Sequence, residues 1–194
     1  MRKKRRRPVY LLRRLLVIGL AAAACAVLYS RAERFYMLYA YPIRYEETVT
    51  REAARNNLPV SLVYAVIRTE SGFRPDARSR VGARGLMQIM EETYEWVAFR
   101  LREKGGDFSS MYDIEENIRY GTALLRLLLD EFGTDENALC AYHAGWGSVK
   151  SWLANTALSP DGENVQNIPF GDTARYVKKV LDTQEIYQRL YQIM

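Results

Sequence analysis

Apolar side chains recur at intervals of three and four residues through most of the chain, the spacing that places them on one face of an α-helix. Beyond residue 40 this spacing predicts helices over residues 45–56, 61–71, 91–104, 114–133, 136–145, 147–155 and 172–194. Stretches rich in glycine, proline and small polar residues separate them at residues 72–85, 104–113 and 156–171. No segment shows the alternation of apolar and polar residues that is typical of a half-buried strand. The pattern therefore predicts an all-α domain without internal repeats.

The N-terminus combines a basic run with an apolar run. Residues 1–14 hold eight lysines and arginines and no acid, and residues 15–29 carry no charge. Positive charge keeps such an end in the cytoplasm, so we predict a basic cytoplasmic tail at residues 1–14 and a single transmembrane anchor at residues 15–30. A juxtamembrane linker at residues 31–44 then leads to an extracytoplasmic domain at residues 45–194. The predicted location is the cell membrane, crossed once.

A signal peptide is the alternative interpretation of the same apolar run. Its length is at the upper end for the apolar core of a signal peptide and below the ~17 to 25 residues of a spanning helix. Ala22, Ala23 and Ala24 before Cys25 offer a small-residue cleavage site and a poor lipoprotein box. The aromatic residues that follow suit the outer membrane interface and favour the anchor: Tyr29, Phe35, Tyr36, Tyr39 and Tyr41.

The distribution of charge along the chain limits the classes of binding partner that we expect. The net charge is +5, but residues 15–194 hold 20 of the 28 basic side chains against all 23 acidic ones, a net of −3. A mildly acidic domain lacks the basic surface that nucleic-acid binding needs. The two cysteines, Cys25 and Cys140, and the one histidine, His143, provide neither a disulfide framework nor a metal site. We therefore expect no nucleic-acid partner, no metal and no cofactor.

An acidic residue lies on the apolar face of the helix predicted at residues 61–71. Val63, Ile67 and Glu70 follow one another at intervals of four and three, so the carboxyl group belongs to the core-facing stripe. Burial and the negative C-terminal end of a helix both raise the pKa of a carboxyl group, which suits a general acid near neutral pH. The alternative is a structural ion pair with an arginine of the following loop: Arg74, Arg78, Arg80 or Arg84.

The residues after Glu70 form a pattern with later parts of the chain. The segments that carry it are VYAVIRTESGFRPDA, SRVGARGLMQIM, NIRYGTALL, AYHAGWG and YVKKVL. Their order and spacing resemble those of the soluble-type lytic transglycosylases, glycoside hydrolase family 23, over about residues 41 to 181. This resemblance implies a lysozyme-like helical fold for the catalytic domain.

The resemblance also implies roles for individual residues. It makes Glu70 the single catalytic acid/base and Tyr176 the aromatic residue that closes the site. The residues that it implies for substrate contact, by hydrogen bonding near the acid or by lining saccharide subsites, are Ser79, Gln88, Met90 and Tyr142.

Two positions depart from the family pattern. His143 replaces the asparagine of the Ala-Tyr-Asn-Ala-Gly motif, and it offers an amide-like hydrogen bond, a subsite contact or a structural role. Asp172 replaces the glutamate of a Glu-Thr-Arg segment and is one methylene shorter. It either reaches the site through water or caps the last helix.

The activity that the resemblance implies is cleavage of peptidoglycan glycan strands between N-acetylmuramic acid and N-acetylglucosamine. The reaction is non-hydrolytic and leaves a 1,6-anhydro end on the muramoyl sugar. Two alternatives stay open on the sequence: a hydrolytic muramidase of the same fold, and a membrane-tethered scaffold that binds glycan without cutting it.

Overall fold

The computed structural model describes residues 7–193. Eight α-helices lie within this range: α1 Arg7–Ala40, α2 Glu46–Arg55, α3 Val60–Glu70, α4 Glu91–Leu101, α5 Ile114–Phe132, α6 Asp135–Ala144, α7 Trp146–Leu153 and α8 Gly171–Tyr191. A 3-10 helix, Phe108–Tyr112, precedes α5. The described residues contain no β-strand, so the predicted all-α class is confirmed. The chain divides into two compact units between Pro42 and Ile43.

The first unit is built on α1, a single helix of 34 residues. Its stretch Tyr10–Ala40 has a mean hydropathy of 2.1 in the most apolar window, and the side chains of that window are not buried. At ~1.5 Å per residue the helix exceeds the ~30 Å hydrocarbon core of a bilayer. Length and composition therefore allow it to cross a membrane, although a signal sequence passes the same test. Residues 1–6 of the predicted basic tail lie outside the described residues.

The helices of the second unit follow the predicted segments closely, and the differences lie at their ends. α4 ends at Leu101 rather than at residue 104, because Arg102 adopts a left-handed conformation with φ 59°. The 3-10 helix lies in a segment that is predicted to be irregular. Asp107 begins it by accepting a hydrogen bond from the backbone N–H of Ser109 at 2.8 Å, which satisfies a donor at the start of the turn.

α3 is the central helix of the second unit. Every residue from Ser61 to Ile67 is buried. α3 packs on α8 through the rings of Tyr64 and Tyr187, which stack with centroids 5.3 Å apart. α5 contacts α2, α4 and α6 and completes the core on another side. The buried residues of α3 continue almost to its end. The side chains of its last turn therefore lie at the edge of the core.

Candidate active site

Glu70 is the last residue of α3, where the chain leaves the core. Ile67, one turn earlier on the same stripe, is 0% exposed, and Glu70 is half-buried. The chain then reverses, because Gly72 takes a left-handed φ of 60° and Phe73 one of 66°. The Phe73 ring packs on Tyr64 with centroids 6.1 Å apart, which fixes the turn to the core. The observed position of Glu70 is the core-facing one that the spacing predicts.

Burial raises the pKa of Glu70 from 4.5 to about 7. The Tyr176 hydroxyl and the Lys179 ammonium oppose this shift by stabilising the carboxylate, but their effect is smaller. Among the described residues, no second carboxylate contributes to the shift. A carboxyl group with this pKa is protonated in a large fraction of molecules at neutral pH, the state that a general acid needs.

The four arginines of the following loop do not neutralise Glu70 in the described structure. Arg74 instead donates from Nε to the backbone carbonyl of Ser71 at 3.0 Å. The Arg84 guanidinium lies over the Phe108 ring, 4.1 Å from its centroid. The other two are exposed: Arg78 and Arg80. The structural ion pair predicted as the alternative is therefore absent from residues 7–193.

Two tyrosines approach Glu70 from other helices. Tyr142 of α6 donates its hydroxyl hydrogen to the backbone carbonyl of Met87 at 2.6 Å. Tyr176 of α8 is buried, and its hydroxyl has no partner of normal hydrogen-bond geometry among the described residues, although it lies near enough to Glu70 to lower the pKa of that group. Burial and the nearby Glu70 charge raise the pKa of both phenols well above the ordinary value. Both phenols therefore stay neutral and remain hydrogen-bond donors.

The bond from Tyr142 to Met87 fixes the loop between α3 and α4 beside the site. Gln88 in this loop has a φ of 51°, and its Nε2 donates to the backbone carbonyls of Ala77 at 3.2 Å and Gly85 at 2.8 Å. The hydrogen bonds of the Gln88 amide nitrogen are therefore made within the loop. Its amide oxygen is the atom that can accept a hydrogen bond from the hydroxyl group of a ligand.

Asn117 of α5 anchors the same loop, a role that the sequence pattern did not reveal. Its side chain is fully buried: Oδ1 accepts from the backbone N–H of Met87 at 2.7 Å, and Nδ2 donates to the carbonyls of Arg84 at 3.0 Å and Met111 at 2.8 Å. A buried amide with three backbone partners is costly to remove, because each partner would be left unsatisfied. The one indication of this role in the sequence was that an amide residue lies on the apolar face of a predicted helix.

Two glycines permit the close packing of this loop on α5. A Cβ atom at Gly85, which has a φ of 76°, would overlap the Met111 carbonyl and the Asn117 side chain. A Cβ atom at Gly121 would overlap the side chain of Met87. Glycine is therefore required at both positions for the loop to reach its observed place.

Both departures from the family pattern meet at the start of α8. His143 Nδ1 lies 3.0 Å from the Thr173 hydroxyl oxygen, and its ring packs on Tyr176 with centroids 4.6 Å apart. Asp172 is exposed, and its Oδ1 accepts from the backbone N–H of Thr173 at 2.9 Å within the first turn of α8. His143 thus supports the ring of Tyr176. Asp172 does not cap the helix, because the cap position is Phe170, whose side chain makes no capping hydrogen bond, and Asp172 is an acidic residue of the first turn.

Ser79 and Met90 take part in the loop around the site. The Ser79 hydroxyl accepts from the backbone N–H of Ala83 at 3.0 Å, and the Met90 carbonyl accepts from the N–H of Tyr94 at 2.8 Å as α4 begins. Neither forms a hydrogen bond with Glu70 in the described structure. Their contacts with substrate stay predictions.

A groove of about 370 Å³ opens beside Tyr142, a volume typical of small-ligand sites. α4 and the corner between α6 and α7 line it, together with apolar side chains of α5. Glu70 does not line this groove, whereas Tyr142, whose pKa the Glu70 charge raises, does. No cluster of three or more metal-binding side chains occurs within residues 7–193.

The chain matches the family model described as "Transglycosylase SLT domain" over residues 47–164, more than half of its length. The soluble lytic murein transglycosylase of Escherichia coli (strain K12) is 36% identical over 153 residues, which cover 76% of this chain and 23% of that protein. The membrane-bound lytic murein transglycosylase C of Yersinia pestis (strain Pestoides F) is 35% identical over 169 residues, which cover 75% of this chain and 47% of that protein.

Solved structures share the fold of the second unit. The crystal structure of the 70 kDa soluble lytic transglycosylase of Escherichia coli matches with a TM-score of 0.72 and 33% identity, over 80% of this chain and 26% of that chain. An inactive mutant of lytic transglycosylase Slt from Pseudomonas aeruginosa matches with a TM-score of 0.69 and 33% identity, over 78% of this chain and 25% of that chain.

The helices and the half-buried acid at the end of α3 define the second unit as a lysozyme-like helical domain, as predicted. The chain belongs to the transglycosylase SLT domain family. It spans about a quarter of the length of the soluble relative and about half that of the membrane-bound one.

Proposed function

We propose that this protein is a membrane-anchored peptidoglycan lytic transglycosylase that cleaves the β-1,4 bond between N-acetylmuramic acid and N-acetylglucosamine. The observation that carries the proposal is a single carboxyl group, Glu70, with a pKa of about 7 and two neutral phenols beside it. The names of the relatives, lytic murein transglycosylases, support the substrate class.

A single acid favours a reaction in which the substrate provides its own nucleophile. Glycosidases that work with two carboxyl groups hold them about 5 to 10 Å apart. Protonated Glu70 donates its proton to the glycosidic oxygen as the bond from that oxygen to C1 breaks, and the 2-acetamido group of the muramoyl sugar stabilises the positive charge at C1. The Glu70 carboxylate then accepts the proton of the C6 hydroxyl while O6 bonds to C1. This step forms the 1,6-anhydro end and restores the acid.

The two tyrosines suit the charge changes of Glu70 in this cycle. When Glu70 has given up its proton, a neutral phenol can stabilise the carboxylate by donating a hydrogen bond. Tyr142 already donates to Met87, whereas the Tyr176 hydroxyl has no bonded partner within the described residues. Tyr176 is therefore the donor we assign to the carboxylate intermediate.

Analysis of the products tests the proposed activity. We expect the full-length protein to release muropeptides with 1,6-anhydro ends from purified sacculi, each lighter by one water than the product with a reducing end. Mass spectrometry of the soluble fragments measures this difference. Reducing ends would identify a hydrolytic muramidase, and binding to sacculi without release would identify a scaffold. Either result contradicts the proposal.

The proposed membrane anchor rests on α1, whose apolar stretch is long enough to span a bilayer and follows a basic run. We expect the full-length protein to stay in the membrane fraction during washing with alkaline carbonate. Protease added outside spheroplasts should remove the second unit and leave the N-terminal tail intact. A soluble protein whose mature N-terminus is Cys25 would show instead that the apolar run is a cleaved signal peptide.

A further inference from the structure

A short loop between α3 and α4 concentrates positive charge on a mildly acidic unit. Residues 74–84 hold four arginines and one aspartate, a net charge of +3. Residues 43–194, by contrast, hold 18 basic and 22 acidic side chains. We call residues 74–84 the arginine loop. Three of its arginines are exposed: Arg74, Arg78 and Arg80.

The exposed arginines are not neutralised by the protein itself. They form no ion pair among residues 7–193. They are also not among the groups that shift the pKa of Glu70. A guanidinium close to that carboxyl group would favour its charged form and remove the proton that a general acid needs. The charge of the arginine loop is therefore directed neither at an internal partner nor at the catalytic acid.

Hydrogen bonds hold the arginine loop in one shape. The backbone N–H of Ser79 donates to the Ala83 carbonyl at 2.9 Å, and the N–H of Ala83 donates to the Ser79 hydroxyl at 3.0 Å. The N–H of Gly85 donates to the Ala77 carbonyl at 2.9 Å and joins the two sides of the loop. A fixed backbone lowers the entropy that arginine side chains lose when they bind a ligand. The arginine loop is therefore a preorganised basic surface.

The arginine loop borders the candidate active site. Arg74 donates from Nε to the carbonyl of Ser71, the residue that follows Glu70. Gln88 of the site donates from Nε2 to the carbonyl of Ala77 at 3.2 Å. The loop is thus bonded to the backbone beside the catalytic acid and to a predicted substrate-binding side chain. Groups that project from a ligand at Glu70 are therefore close to a basic surface.

The chemistry of the arginine loop suits a ligand with carboxylate groups. A guanidinium presents paired N–H donors that match the two oxygens of a carboxylate. The muramoyl sugars of peptidoglycan carry stem peptides, which project from the glycan strand and end in carboxylates. We propose that the arginine loop binds carboxylates of the stem peptide beside the scissile bond, so that strands with charged stems are preferred. This inference rests on the proposed function, because stem peptides belong to the substrate assigned there.

An anionic lipid surface is the other partner that exposed arginines can bind. Binding at a membrane interface needs a broad apolar face beside the positive charge. The arginine loop exposes one large apolar side chain, Val81, which is 74% exposed. Its hydrogen bonds to the site and this small apolar area favour the stem peptide as the partner.

The test removes the charge pair from either side. One substrate is a preparation of soluble glycan strands with native stem peptides, and the other is the same preparation with the stem carboxylates converted to amides. For the full-length wild-type protein we expect kcat/KM to be about tenfold lower on the amidated strands. The double variant Arg78→Gln/Arg80→Gln should lose about tenfold on native strands and little more on amidated ones, because both changes remove the same interaction.

Arg189→Gln is the matched control, because Arg189 is an exposed arginine in the last turn of α8. It should keep the wild-type preference for native strands. The preference of the wild-type protein should also weaken as the ionic strength rises, since salt screens exposed charges. Thermal unfolding checks the fold of each variant. The comparison of the two substrates with the wild-type protein needs no variant, so it decides the question even if the double variant does not fold.

Three results would overturn the inference. The first is an equal rate of the wild-type protein on native and amidated strands. The second is an equal loss by the double variant on both substrates, which would assign the loop to another anion, such as a lipid phosphate. The third is an equal loss of preference in Arg189→Gln, which would make the effect one of overall charge.

A binding measurement separates this inference from the proposed function. In the Glu70→Gln background, co-sedimentation with native sacculi should show about tenfold higher affinity than with amidated sacculi, and the two arginine substitutions should remove the difference. If the wild-type protein cleaves no glycan and this difference is found, the proposed function fails and the loop assignment stands. If the wild-type protein cleaves glycan and the difference is absent, the loop assignment alone fails.

Discussion

Replacing Glu70 with glutamine is expected to lower the release of muropeptides from sacculi by about 10³-fold or more. Glutamine has nearly the same shape, but it can neither donate a proton to the glycosidic oxygen nor accept one from the C6 hydroxyl. Both chemical steps therefore lose their acid/base group, while the contacts that bind the strand persist. Chromatography of the soluble products against time measures the loss, and co-sedimentation with sacculi measures the retained binding.

Glu95→Gln is the matched control for this substitution, because Glu95 is an exposed glutamate of α4 that does not line the groove. Its release rate should equal that of the wild-type protein. If Glu70→Gln kept a substantial rate, another group would have to supply the proton. That outcome would contradict the single-acid mechanism and with it the role assigned to Tyr176.

The helices of the second unit were predictable because their apolar faces are continuous and their ends carry ordinary signals. α5 begins after Asp113, whose carboxylate accepts from the N–H groups of Glu115 and Glu116, and it ends at Gly133 with φ 76°. The end of α4 was not predictable, because Arg102 takes a conformation that favours glycine. The 3-10 helix depends on one short-range hydrogen bond, which the Asp107 carboxylate accepts. Helical periodicity in the sequence does not predict such a bond.

Glu70 could be found from the sequence because the evidence for its burial lies within one helix. Its spacing from Val63 and Ile67 places it on the buried stripe, and the structure shows both neighbours fully buried. The approach of Tyr142 and Tyr176 was available only through the family resemblance, since these residues reach Glu70 from helices far along the chain. Local periodicity carries no information on such distant pairs.

The parts of the site that the sequence did not predict join segments that are far apart in sequence. Asn117 binds Met87 across 30 residues of sequence and Arg84 across 33. The same Met87 accepts the hydrogen bond from Tyr142, 55 residues further on. α5, the loop before α4 and α6 are thus linked in one chain of hydrogen bonds that ends beside Glu70. Rigid support of this kind is what a catalytic group needs to keep its geometry.

The activity is expected to fall as pH rises through about 7, because Glu70 must be protonated to start the reaction. Above its pKa, kcat/KM should drop about tenfold for each pH unit, since only the protonated fraction reacts.

The free energy of unfolding should also depend on the protonation of Glu70. Its pKa is raised from 4.5 to about 7 in the folded state, so the folded protein holds the proton more tightly than the unfolded chain. The free energy of unfolding should therefore decrease by about 3 kcal/mol between pH 4.5 and 7.

Two comparisons identify Glu70 as the group responsible. Glu70→Gln has no carboxyl group to titrate, so urea unfolding at pH 5 and pH 8 should show a smaller decrease in stability than the wild-type protein. Lys179→Ala removes an ammonium that favours the carboxylate, so the fall in activity should move to higher pH. Lys178→Ala is the matched control, because Lys178 pairs with Asp182 at 2.9 Å and does not act on Glu70. A flat rate from pH 5 to pH 9, or equal shifts in the two lysine variants, would show that the proton is not held by Glu70.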